Sequence, residues 1–103
     1  LSVLVDYNKF QSYGPVEEVL KLEPLADKWQ SFGFKVREVD GHDVQALKDL
    51  MDKLPFDSDS PNTIICHTIK GKGFPFAENN PEWHHKSRLT ENELQNMYDS
   101  VKY

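Results

Sequence analysis

Thr63-Ile64-Ile65-Cys66-His67-Thr68-Ile69, followed at once by Lys70-Gly71-Lys72-Gly73, is the stretch on which the reading of this chain turns. It is an apolar run that reads as a strand, and it is ended by glycines suited to a turn. Two further runs have strand character: Ser2-Val3-Leu4-Val5-Asp6 and Phe34-Lys35-Val36-Arg37-Glu38-Val39-Asp40. The first of these, rich in Val and Leu, reads as a fully buried strand with neighbours on both sides. Helical patterns separate the three runs. That alternation predicts an α/β fold built on a partial parallel sheet with crossover helices.

Between the first two strands, Gly14-Pro15 marks a turn. Pro24 suits the first turn of a helix whose Leu25, Ala26, Trp29 and Phe32 should lie on the sheet, with Gly33 as its stop. Asp43 is placed as the N-cap of the next helix, in which Val44, Leu47, Leu50, Met51 and Leu54 recur at helical spacing up to Pro55. A polar loop is expected over 56–62. The final helix, Thr90 to about Val101, opens with a capping box of Thr90 and Glu93 and a staple of Leu89 onto Leu94. Its apolar stripe, Leu94, Met97, Tyr98 and Val101, is expected to be core contact.

The 103 residues are enough for one small domain or part of one, and 38% apolar with 12% aromatic residues is the composition of a globular chain. There is no long apolar run that would span a membrane, and no basic-then-apolar leader. A formal charge of −5 argues against binding along a nucleic-acid backbone. Cys66 has no cysteine partner in the chain and reads as a small buried thiol, in keeping with a reducing cytoplasm. The chain opens on Leu1 and leads directly into a strand, so an earlier portion of the fold is expected upstream.

Ligands of an open parallel sheet bind beyond the carboxyl ends of its strands. Three segments fall there: Tyr7-Asn8-Lys9-Phe10, Gly41-His42-Asp43 and the 70–73 turn. The Lys-Gly-Lys-Gly turn combines two cations with flexible backbone and suits an anionic ligand, or it is simply a turn with solvated lysines. It lacks the spacing of a Walker A loop. Asn8 offers a neutral oxygen suited to Mg²⁺, and equally suits a turn. Asp6 is either the carboxylate such an ion needs or a cap of that turn. The 70–88 loop is long for a compact α/β unit, which marks it as functional or disordered, and its aromatic and basic content argues against simple disorder. Its densest polar cluster is His84, His85 and Lys86 beside Trp83. Adjacent histidines do not form a zinc pattern with Cys66 and His67, so an imidazole that donates hydrogen bonds or moves protons is the better reading.

Taken together, Val5-Asp6-Tyr7-Asn8-Lys9, Gly14-Pro15-Val16, Asp40-Gly41-His42-Asp43, His67-Thr68-Ile69-Lys70-Gly71-Lys72-Gly73 and Asn80-Pro81-Glu82-Trp83-His84 resemble the transketolase family. The resemblance covers most of the chain, up to the last helix. It implies an incomplete thiamine-diphosphate-binding fold, with residues 1–103 as the C-terminal part of the domain that binds the cofactor's diphosphate. The Gly-Asp-Gly half of the cofactor motif would lie upstream of Leu1. By the same resemblance Asn8 is a side-chain ligand of Mg²⁺ or Ca²⁺, with Phe10 adding a backbone carbonyl. Lys70 lies against thiamine diphosphate, His84 contacts both cofactor and sugar as the catalytic histidine, and Lys86 sits near the substrate channel. The implied reaction is cofactor-borne transfer of a two-carbon ketol unit from a ketose to an aldose phosphate.

The resemblance also implies partners: the remaining part of the same cofactor domain, the pyrimidine-binding domain or subunit, and a sugar phosphate, in a homodimer or heterotetramer. Neither nucleic acid nor membrane is among them, and the expected compartment is the cytoplasm. The fragment alone is expected to be inactive. The family commonly has Trp-His-Gly where this chain has Trp83-His84-His85, which would alter the sugar entrance. Related readings are another thiamine-diphosphate enzyme, such as a deoxyxylulose-phosphate synthase or a keto-acid decarboxylating component, or an inactive remnant serving as an interaction module. Trp83-His84 favours transketolase over the sibling enzymes.

Overall fold

The computed structural model of the chain describes residues 1–12 and 14–101; Tyr13, Lys102 and Tyr103, which fall within the expected domain span 1–103, lie outside the described residues. The sheet is built from β1 (Ser2–Tyr7), β4 (Lys35–Asp40) and β5 (Asn62–His67), in the order β1-β5-β4. Both ladders are parallel, and they align Tyr7, His67 and Asp40 as the last paired row. A short hairpin, β2 (Phe10–Gln11) with β3 (Gly14–Pro15), follows β1 and leads into α1 (Val16–Val19). The remaining helices are α2 (Leu25–Ser31), α3 (Val44–Met51) and α4 (Glu91–Ser100).

The apolar run at 63–69 takes the central place because it alone is buried along almost its whole length, with Ile64 and Ile65 each 1% exposed. Asn62, expected in the preceding loop, is the first residue of this strand and is buried. Its Oδ1 accepts from the Phe56 N–H at 2.9 Å, and its Nδ2 donates to the Ser60 carbonyl at 3.1 Å, so a buried amide holds the loop closed. The strand ends at His67, two residues before its expected limit, because β1 and β4 end in the same row and no ladder partner follows.

β1 departs from its expected burial. It pairs with β5 alone among the described residues, its residues alternate in exposure, and Leu4 is 47% exposed. One face of the sheet carries the core: Tyr7, Val16, Val36 and Ile65, with Val5, Leu22, Leu25, Ala26, Trp29 and Phe34 packed against them. Trp29 and Phe34 meet edge to face with centroids 4.8 Å apart. Helix α2 thus lays three of its four expected apolar residues on the sheet, but Phe32, at its C-cap, is 80% exposed. Pro24 is the N-cap, not part of the first turn, and the Glu23 carboxylate accepts from the Leu25 N–H at 2.9 Å.

Asp43 caps α3 as expected, its carboxylate accepting from the Ala46 N–H at 2.9 Å, although the helix ends at Met51, short of Pro55, and Val44 stays exposed. The Thr90 and Glu93 capping box also forms. The stripe of α4 is a correction: Leu94, Tyr98 and Val101 are well exposed and, with Met97 and Phe74, line an apolar groove of about 260 Å³ apart from the sheet core.

The 70–80 segment is a series of tight turns. Lys70 O accepts from the Asn79 N–H at 2.9 Å, and Phe74 O accepts from the Ala77 N–H at 2.7 Å. Gly71 sits at φ +75°, where an added Cβ would lie 2.4 Å from the Ala77 carbonyl oxygen. Only glycine fits both the backbone angle and that approach. Gly71→Ala is expected to destabilise this turn by about 1–3 kcal/mol, seen as faster hydrogen exchange at the Asn79 amide in the full-length protein. Unchanged exchange there would contradict the packing described.

Candidate functional site

Because the three strands run in the same direction, their exits share one edge. A cavity of about 430 Å³ opens there. Asp6 and Asn8 line it from the end of β1, His42 from beyond β4, and Thr68, Lys70 and Lys72 from beyond β5. Asn8 and Lys70, both singled out in the sequence, therefore meet in one cavity. Asn8 Oδ1 accepts from the Phe10 N–H at 2.9 Å, which folds the chain back into the hairpin and uses one of the two lone pairs of that oxygen. The second lone pair remains for another donor or a cation. Asp6 accepts a hydrogen bond from the Thr68 hydroxyl, which ties β1 to the start of the lysine turn. Lys72 pairs loosely with Glu78 at 3.8 Å.

His84 and Lys86 come from the following loop. A 3₁₀ turn over Pro81–Trp83, capped by the Asn80 side chain on the Glu82 N–H at 3.0 Å, sets the position of Trp83 and His84. Phe76 lies between Phe74 and Trp83, with centroid separations of 5.9 and 5.0 Å, so an aromatic row joins the lysine turn to the histidines. His84 does not line the Asn8 cavity. It is near enough to Lys70 to feel its charge: burial, then Lys70, then His85 push its pKa below the ordinary histidine value. Its imidazole is accordingly biased to the neutral form, able to accept a proton at neutral pH.

His85 meets the His84 ring edge to face at 4.2 Å and holds φ +58°, a left-handed backbone that glycine adopts without cost. Lys86 turns its ammonium over the Trp83 ring, 4.3 Å from the centroid, and pairs with Glu93 of α4. In this arrangement Lys86 braces the loop against the last helix.

A second polar cluster was not apparent in the sequence. Lys9, at φ +68°, places Nζ 3.3 Å from the centroid of the Tyr7 ring and 2.7 Å from His67 Nδ1. An ammonium can only donate, so Nδ1 is the acceptor, and Nε2–H donates to Glu38 Oε2 at 2.5 Å. Burial pushes the Lys9 pKa down, against the pull of Glu23 and Glu38. Tyr7, whose hydroxyl donates to Glu23 at 2.8 Å, is pushed up to about 12 by burial and by that carboxylate. The partners lie on different strands, and only the row Tyr7–His67–Asp40 brings them together.

In chemical terms the edge is a receptive one: two lysines and a glycine-rich turn for an anion, and amide and carboxylate oxygens for a hard cation. Among the described residues no group of three or more His, Cys, Asp or Glu gathers to hold a metal by itself. No described helix is long and apolar enough to cross a membrane. The fold and this edge define an α/β domain whose parallel strands end at a cavity lined by lysines and by amide and carboxylate oxygens.

Comparison with known proteins narrows the class. Residues 1–102 match the family described as transketolase, thiamine diphosphate binding domain. The chain is 37% identical over 86 residues to an apulose-4-phosphate transketolase subunit of Actinobacillus succinogenes, covering 84% of this chain and 31% of that protein. It is 38% identical over 91 residues to the 6-deoxy-6-sulfo-D-fructose transketolase subunit SqwG of a Clostridium species, covering 88% of this chain and 33% of the relative. Human transketolase-like protein 2 is 34% identical over 90 residues, 84% of this chain and 14% of that protein. The chain belongs to the transketolase family and lies in its thiamine-diphosphate-binding domain. It spans about a third of the length of the two bacterial relatives.

The depressed basicity of His84 is directly measurable. In the full-length protein its ring is expected to titrate below the ordinary midpoint of about 6.5, and Lys70→Gln should move the midpoint back up by removing a neighbouring positive charge. An NMR titration of the histidine ring protons reads both. A midpoint that does not respond to Lys70→Gln would show that the two groups are not neighbours.

Proposed function

We propose that this chain forms part of the thiamine-diphosphate site of a transketolase that transfers a two-carbon ketol unit from a ketose to an aldose phosphate. The observation that carries the reading is the meeting of Asn8 and Lys70 in one cavity at the carboxyl edge of the sheet. When bound, thiamine diphosphate would supply the covalent carrier of the two-carbon unit. The residues present fit that group in kind. Lys70 and Lys72 offset the diphosphate charge, and Asn8 and the Phe10 carbonyl would add oxygen ligands to Mg²⁺, or to Ca²⁺ in its place. The rest of the oxygen shell would come from the diphosphate, from water and from residues upstream of this chain, here assigned as the other part of the same domain.

His84, its pKa held below the ordinary value by burial and by the Lys70 charge, would hydrogen-bond the sugar and take or return a proton at its hydroxyl oxygens. Lys86 would lie at the entrance, where its ammonium could meet the substrate phosphate if it leaves Glu93. Both bacterial relatives are named as transketolase subunits. By analogy we place this protein in an assembly, homodimeric or heterotetrameric, in which a pyrimidine-binding domain or subunit completes the site. A cytoplasmic enzyme fits the buried, unpaired Cys66. The sugars named for the relatives differ from one another, and His85, in place of the family's usual glycine, would alter which sugar this protein accepts.

Kinetics of the complete enzyme with a ketose donor and an aldose phosphate acceptor test the reading. His84→Ala should lower turnover by roughly 10²-fold or more while cofactor affinity falls much less. His85→Gly, which keeps the left-handed backbone and removes only the ring, should change KM for the sugar more than turnover. If His85→Gly abolished turnover while His84→Ala did not, the assignment of His84 would be wrong. Absence of ketol transfer by the wild-type enzyme supplied with thiamine diphosphate and Mg²⁺ would remove the proposed function altogether.

A further inference from the structure

His42 lies outside the roles assigned above, yet it borders the Asn8–Lys70 cavity and also a neighbouring cavity of about 480 Å³ lined by Asp40, His67 and Lys72. Its backbone is closely fixed. The Gly41 N–H donates to the His67 carbonyl at 2.8 Å, and a Cβ at Gly41 would lie 2.5 Å from Thr68 Cγ2, so the chain leaves β4 pressed against the end of β5. The Asp40 carboxylate then accepts from the His42 N–H at 2.9 Å, and Asp43 begins α3 one residue later.

From this anchored position the imidazole reaches across the sheet end. Its Nε2 accepts a hydrogen bond from the Ile69 N–H at 2.7 Å. Ile69 lies beyond the last paired row, where neither ladder gives its N–H a backbone carbonyl. The side chain therefore stands in for that carbonyl and extends the ladder by one bond. Its effect falls on the next residue. The peptide joining Ile69 to Lys70 is held at the Ile69 N–H by His42 and at the Lys70 carbonyl by the Asn79 N–H at 2.9 Å.

We propose that His42 is a positioning residue that fixes the Ile69–Lys70 backbone and so presents the Lys70 ammonium to the cofactor's diphosphate. The role requires an acceptor atom at the Nε2 position and nothing more specific to imidazole. Glutamine, with an amide oxygen at about the same reach, should replace it; leucine fills similar space without an acceptor; asparagine has the acceptor but is too short.

The cofactor part of this proposal rests on the function proposed above, whereas its structural part does not, and the experiment separates the two. In the complete enzyme, hydrogen exchange at the Ile69 amide is read by fragmentation mass spectrometry, and thiamine diphosphate affinity by fluorescence titration with Mg²⁺ present. His42→Leu is expected to speed Ile69 exchange roughly tenfold and to weaken cofactor binding about fivefold, the worth of one ordinary hydrogen bond. His42→Gln should leave both within about twofold of wild type, a rescue that a space-filling role would not give. If His42→Leu does not fold, His42→Asn takes its place, with fast exchange and weakened binding again expected.

Equal Ile69 exchange in wild type and the Leu or Asn variant would overturn the proposal. So would a Gln variant as impaired as the others, or altered exchange with unaltered affinity. A wild-type enzyme that binds no thiamine diphosphate would refute the proposed function, while the exchange comparison would still decide what His42 does.

Discussion

The site depends on one constraint: β5 is hydrogen-bonded in parallel on both sides. A strand with Ile64 and Ile65 sealed from water needs backbone partners along both edges, and β1 and β4 supply them in the same direction. Parallel pairing then fixes where the chemistry falls. The last paired row is Tyr7, His67 and Asp40, so whatever follows those residues emerges together at one edge. Asn8, Gly41-His42 and Thr68-Ile69-Lys70 are those residues. Antiparallel pairing of any one strand would carry its exit to the opposite end.

The connections beyond that edge are held in place by specific contacts. Gly71 packs against the Ala77 carbonyl, Asn79 closes back on Lys70, and the row Phe74, Phe76 and Trp83 carries the order onward to His84. The Lys70 charge reaches the His84 imidazole although His84 does not line the cavity. The cluster of Lys9, His67, Glu38 and Tyr7 braces the same edge from the core side, joining all three strands through side chains.

Much of this was legible in the sequence, for identifiable reasons. The three strands, the Asp43 cap and the Thr90 capping box were visible because each follows from local chemistry: apolar runs, and short oxygen-bearing side chains just before helical spacing. The common edge and its transketolase-like residues followed from strand direction and motif order. The misses concern what short-range patterns cannot encode. Exposure of β1 and of the α4 stripe depends on which surfaces lie alongside, and the same Val and Leu spacing serves a covered or an uncovered face. An amide is a poor strand signal, so the sequence alone puts Asn62 in the loop, yet it is buried and closes the loop by its side chain. The Lys9–His67–Glu38 contact requires the strand order, which no single segment states. His42 stood in view within Asp40-Gly41-His42-Asp43, but its bond to Ile69 depends on how far β5 extends.

The central claim is that the edge past β1 binds a diphosphate cofactor through a cation, with the side-chain oxygen of Asn8 as part of the cation's shell. Asn8 is half-buried and lies outside the core cluster, but its Oδ1 also accepts from the Phe10 N–H, so the fold of an Asn8 variant is checked beside its binding. The decisive measurement is a calorimetric titration of the full-length protein and its Asn8→Ala variant with thiamine diphosphate at several fixed Mg²⁺ concentrations. The account predicts that wild type binds tightly only with Mg²⁺, and that Asn8→Ala, still folded, needs at least about tenfold more Mg²⁺, as a lost charge-assisted contact of about 1.5–3 kcal/mol requires. Equal affinity and equal Mg²⁺ dependence in the two proteins would contradict it.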